Sequence, residues 1–97
     1  MKALSSNEIN KYLSTLQNWT YDQSSIKKEL KFRNFVEAFS FMSAVALEAE
    51  KMDHHPDWSN VYNKVNIALN THSENGITQL DFDLAKKIDD IFKKYKS

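Results

Sequence analysis

Between Leu4 and Phe92 the apolar positions change period several times, and each change marks an element. Leu4 and Ile9 flank Ser5-Ser6-Asn7-Glu8, a capping box with hydrophobic staple positions around it. Ile9, Tyr12, Leu13 and Leu16 then recur at helical spacing and predict a first helix. Trp19 and Tyr21 share one face of a short strand, and Asp22-Gln23-Ser24-Ser25 reads as a polar turn. Beyond it, Ile26, Leu30 and Phe32 alternate with Lys27, Glu29, Lys31 and Arg33, the period of a half-exposed antiparallel hairpin. From about Asn34 to Met52 the spacing turns helical again. Phe35, Phe39, Met42, Ala46 and Ala49 form one stripe, with Ala38, Phe41 and Val45 beside it. That arc is wider than one sheet face requires, so either the core is deep or the helix is covered by another subunit.

After Pro56 the period is two once more, with Val61, Val65, Ile67 and Leu69 set against Tyr62, Lys64, Asn66 and Asn70. The run is long for one strand and predicts two short ones, or a bend near Asn63. Thr71 to Gly76 is a polar turn, and Thr78 with Asp81 in capping-box position opens a last helix facing inward through Leu84, Ala85, Ile88, Ile91 and Phe92. The order α-β-β-α-β-β-α predicts an α+β fold: a four-stranded antiparallel sheet with three helices on one face, residues 1–97 forming a single domain.

Composition narrows the function. Thirteen basic residues balance thirteen acidic ones, so nothing draws the chain to phosphate backbones or anionic lipid. The absence of cysteine excludes disulfides, thiolate nucleophiles and cysteine metal sites. No run reads as a signal peptide or membrane span, which favours a cytoplasmic protein and makes Asn18-Trp19-Thr20 an unremarkable match to a glycosylation pattern.

The chemistry lies in three histidines. His54 and His55 abut the only proline, Pro56, which restricts His55 to an extended backbone; His72 ends the strand returning from that loop. Adjacent residues in an extended segment diverge, and no HExxH or other i, i+4 pair exists, so zinc ligation has little support. One glycine cannot build a phosphate loop, and no serine sits in a nucleophile turn. What remains is general acid–base chemistry on a small neutral organic substrate. Asp81 and Glu50 each have a sufficient plain explanation, one as a helix cap and the other as a solvated charge.

The spacing Glu50, three residues, His54-His55-Pro56, five residues, Tyr62, nine residues, His72, eight residues, Asp81 resembles the signature of the pterin-4a-carbinolamine dehydratase family. The segment DHHPDWSNVYNKVNIALNTH is similar to the family's centre along its whole length, and the flanking FMSAVALEAEKM and TQLDFDLAKKID helices extend the likeness. The resemblance implies elimination of water from a 4a-hydroxytetrahydropterin to the quinonoid dihydropterin, in tetrahydrobiopterin recycling for aromatic amino acid hydroxylases, with no cofactor and no metal. By the same resemblance His54 and His72 are the acid–base pair, and His55 binds and orients the ring. Asp53, Pro56, Trp58, Asn70, Thr71, Ser73 and Glu50 then belong to the substrate pocket, while Asp81 and Glu50 orient histidines. It also implies a homo-oligomer, tetramer before dimer, which gives the wide arc of the long helix a use. In the alternative reading the chain is a non-catalytic binding module. It would then act as a dimerisation cofactor of a transcription factor through that helix, with a nuclear location.

Overall fold

A computed structural model describes residues 2–22 and 24–95. Gln23, in the expected polar turn, lies outside the described residues. Helix α1 spans Ser6–Leu13, α2 Phe35–Met52 and α3 Gln79–Phe92; the strands are β1 Thr20–Asp22, β2 Ser25–Lys31, β3 Asp57–Val61 and β4 Lys64–Leu69. All pairings are antiparallel, in the order β1-β2-β4-β3. Ile26, Leu30, Val65, Ile67 and Leu69 face a single core closed by Ile9 of α1, Ala38, Phe41, Val45 and Ala49 of α2, and Phe82, Leu84, Ala85 and Ile88 of α3. This is the α+β sandwich expected, with its helices on one face of the sheet.

Local chemistry sets the boundaries. The Ser5 hydroxyl accepts from the Glu8 amide while the Glu8 carboxylate accepts from the Ser5 amide, so α1 begins at a true capping box. Asn34 caps α2 by accepting from the Glu37 amide. Leu4 then crosses to the far end of the chain, its amide donating to the Ile77 carbonyl at 2.7 Å. A Cβ on Gly76 would stand 3.3 Å from that of Ala3, so the N-terminal strap packs closely over the turn before α3.

Two expectations require correction. Val61, read as aligned with Val65, is 72% exposed, because it pairs with Lys64 across the β3–β4 hairpin and shares the outer face with it. The two-residue turn Tyr62-Asn63, with Tyr62 at φ 51°, resets the alternation. On α2 the buried row is Ala38, Phe41, Val45 and Ala49, whereas Phe35, Phe39 and Ala46 of the predicted stripe face solvent. The wide arc is therefore no deeper core, nor is it a continuous apolar band. Exposed Phe35, Val36 and Phe39 cluster at the start of the helix, and exposed Leu47 stands apart beyond Ser40 and Ser43.

The alternation of β2 also turns Lys28 inward, between Ile26 and Leu30, a position the sequence pattern left unassigned. Its side chain is only 9% exposed and its ammonium lies 2.8 Å from Asp89 of α3. Asp89 also accepts from the Trp19 indole at 3.0 Å, and the ammonium sits 5.7 Å from the Trp19 ring centroid and 5.9 Å from that of Phe92. The charge is tolerated inside because a carboxylate and two aromatic faces replace its water.

Candidate active site

The last turn of α2 aims the first histidine. Asp53 takes a left-handed conformation, φ 51°, and donates its amide to Ala49 and Glu50, while the His54 amide also reaches the Ala49 carbonyl. This helix-ending turn folds the chain back on itself and drives the His54 ring inward, where it is 8% exposed. Its Nε2 meets Asp81 Oδ1 at 2.6 Å. Asp81 occupies the first turn of α3, is 0% exposed, and through Oδ2 accepts from the Thr78 amide at 2.9 Å and the Thr71 hydroxyl at 2.8 Å. A second hydroxyl contact, Thr71 Oγ1 to Thr78 Oγ1 at 2.8 Å, closes the cluster. Asp81 is thus both the helix cap and the partner of a histidine; the two readings of it are one arrangement.

Among the described residues, Nε2 is the only ring nitrogen of His54 with a protein partner. Among the described residues no buried side-chain nitrogen or oxygen lacks one, so Nδ1 opens to solvent. The ring therefore presents one nitrogen outward while the other is held from behind by a carboxylate at a helix N-terminus.

His55 points the other way, as neighbours on an extended segment should. Its exposed ring meets Glu50 Oε1 at 2.8 Å. His72 begins a single 3₁₀ turn, His72–Glu74, within the Thr71–Gly76 bridge; like Ser73 it is exposed, and its side chain makes no hydrogen bond or ion pair among the described residues. The backbone next to it is anchored to the His54 cluster, because the preceding residue, Thr71, bonds Asp81. Asn70 donates to the Ser25 hydroxyl at 3.2 Å, Pro56 is half-buried and follows a trans bond, and Trp58 is half-buried on the inner face of β3.

Thr71, expected by resemblance to line a pocket, turns inward and is 7% exposed. Its hydroxyl bonds Asp81 instead. Thr78, legible in the sequence only as a cap, belongs to the same cluster. No single-residue pattern announces such roles; they follow from which hydroxyls the folded turn brings to one carboxylate. Among the described residues no three His, Asp or Glu side chains gather in a way that could hold a metal ion. A groove of about 610 Å³ between α2 and α3, floored by Ala44, Leu47 and Ile91, reaches Glu50, but no histidine lines it. His55 borders it through its contact with Glu50.

The family model described as pterin 4 alpha carbinolamine dehydratase matches residues 2–91. A relative from Prochlorococcus marinus, provisionally named as a pterin-4-alpha-carbinolamine dehydratase, is 54% identical over 86% of this chain and 87% of its own. One of the same provisional name from Sulfolobus acidocaldarius is 46% identical over 91% and 97%. The crystal structure of a transcriptional coactivator/pterin dehydratase from Brucella melitensis superposes with a TM-score of 0.91 at 44% identity, covering 93% of this chain and 98% of that one. A pterin dehydratase-like protein described as a RuBisCO assembly factor shares the fold alone, at TM-score 0.63 and 19% identity. No helix among the described residues is long and apolar enough to cross a membrane. With residues 2–91 matched by the family model and relatives about half identical over nearly their whole length, the chain belongs to the pterin-4a-carbinolamine dehydratase family.

Proposed function

We propose that the chain is a hydro-lyase that removes water from 4a-hydroxytetrahydrobiopterin to give quinonoid dihydrobiopterin, returning the pterin used by aromatic amino acid hydroxylases. The observation that carries this reading is the His54–Asp81 pair with Nδ1 of His54 left open. In the reaction the N5–H bond breaks and its electrons form the C=N bond to C4a, while the 4a hydroxyl leaves with a second proton as water. His54 Nδ1 takes the N5 proton, and Asp81 stabilises the imidazolium that forms. His72 gives a proton to the departing hydroxyl and recovers one from solvent. His55, steadied by Glu50, orients the pterin ring. Elimination of water is redox-neutral, so the chemistry calls for no electron carrier, and two histidines suit a step that general acid–base catalysis speeds by about 10²–10⁴-fold.

Freshly generated carbinolamine, followed by its ultraviolet decay, provides the test. The parent protein accelerates the decay, and His54→Ala and His72→Ala each lose most of that acceleration while their circular dichroism is unchanged. Near-parental rates in both variants would refute the assignment. A second reading, an interaction module, draws on the exposed Phe35, Val36 and Phe39 and on the coactivator description of the Brucella protein. On that reading the same surface holds a homo-oligomer or a transcription-factor partner, and the parent protein gives no acceleration.

A further inference from the structure

The hydrogen bonds behind His54 have only one consistent direction. The Thr78 hydroxyl oxygen accepts from the Leu80 amide at 3.2 Å. Thr71 and Thr78 share a contact of 2.8 Å, and Thr71 lies 2.8 Å from Asp81 Oδ2. A hydroxyl has one proton. If Thr71 gave its proton to Thr78, its oxygen would face a carboxylate oxygen at 2.8 Å with no proton between them, a repulsive contact. Thr78 must therefore donate to Thr71, and Thr71 to Asp81. Oδ2 already takes two donors, and the α3 N-terminus favours negative charge at this position. Asp81 is then an acceptor on both oxygens, and the proton between Oδ1 and His54 belongs to Nε2.

We infer that Thr71 and Thr78 are positioning residues for the dehydration, their hydroxyls forming a one-way relay that fixes Asp81 as an acceptor and so fixes His54 in the tautomer with Nδ1 free to accept. The inference rests on the dehydratase reading for its consequence, but not for its test. A neutral His54 with its proton on Nδ1 would present a donor where the reaction needs a base. The relay decides between the two without touching substrate.

Thr71→Val keeps the side chain's shape and removes the hydroxyl; Thr71→Ser restores it. In the ligand-free full chain, the ¹⁵N and ¹H signals of the His54 ring, assigned by their loss in His54→Gln, report the tautomer. The parent shows the proton on Nε2, Thr71→Ser retains it, and Thr71→Val shifts the ring signals toward a mixture or toward Nδ1–H. With carbinolamine, Thr71→Val loses about tenfold or more in kcat, as expected for a hydrogen bond to a charged group, with a smaller change in KM, and Thr71→Ser recovers most of it. A Thr71→Val ring spectrum superimposable on the parent's would overturn the inference. So would a parent spectrum with the neutral proton on Nδ1, a measurement that stands even if the valine variant does not fold. Absence of dehydration by the parent would refute the function and leave the spectral result intact.

Discussion

Replacing Lys28 by Met removes the ammonium while retaining an unbranched stem against Trp19 and Phe92. At 2.8 Å, and with an effective dielectric of about 20, the Lys28–Asp89 attraction is roughly 6 kcal/mol. Desolvating two such charges costs several kcal/mol per ion, so the pair itself adds little net stability. Removing one partner is a different matter. Asp89 would be left facing an apolar surface, with the Trp19 indole as its remaining donor among the described residues. Breaking a fully buried pair costs about 3–5 kcal/mol, and because the Asp89 side chain is 21% exposed the loss here falls to about 2–3 kcal/mol. In a domain of this size that lowers Tm by roughly 10–20 °C. Urea unfolding at fixed protomer concentration measures it, the fixed concentration excluding a contribution from assembly. The companion change Asp89→Leu, made together with Lys28→Met, exchanges both charges for apolar groups and recovers at least half of the loss, about 1–1.5 kcal/mol relative to Lys28→Met alone. If Lys28→Met unfolds within about 0.5 kcal/mol of the parent, the range of ordinary surface substitutions, the pair is not the buried element argued above.

Two further outcomes follow from backbone and charge. Tyr62→Asn relieves a bulky side chain at φ 51° and raises stability by about 0.5–1 kcal/mol, read from the urea midpoint; an unchanged midpoint would mean that the turn carries no strain. The Ser5 amide, and then the Ser5 hydroxyl, hold the Glu8 carboxyl below its ordinary value of 4.5. Folded protein thus binds that proton more weakly than unfolded protein does, so the stabilisation is complete above about pH 5 and is lost as pH falls through the lowered value. A parent more stable than Glu8→Gln at neutral pH should converge on it in acid, and parallel pH profiles would refute the capping-box account.

Features held within a few residues were legible in the sequence. Both capping acids, Glu8 and Asp81, lie three positions from their caps, and the end of α2 precedes the His-His-Pro run as expected. The motif spacing also marked His54 and Asp81 as belonging to one site before any contact joined them. What escaped depended on distant partners or on turn geometry. Lys28 sits among inward apolar positions only because Asp89 and Trp19 meet it there, 61 residues on in the case of Asp89. Val61 could not be assigned to a face until Tyr62 and Asn63 were known to form a two-residue turn, since one residue of turn length reverses every side chain beyond it. On α2, Phe35 and Phe39 are as apolar as Phe41, and helical spacing alone does not say which row meets the sheet.

The strap at Leu4 bears on how the site comes into being. Residues 50 to 81 contain every motif position, yet a peptide of that span would hold the histidines without their geometry. The turn bearing His72 is closed from outside by Ala3 and Leu4, and Asp81 is oriented by a helix that continues to Phe92. The packing around the carboxylate and His54 thus includes contacts that close long loops of chain. The site accordingly rests on long-range packing that begins at Ala3 and Leu4, far in sequence from its own side chains.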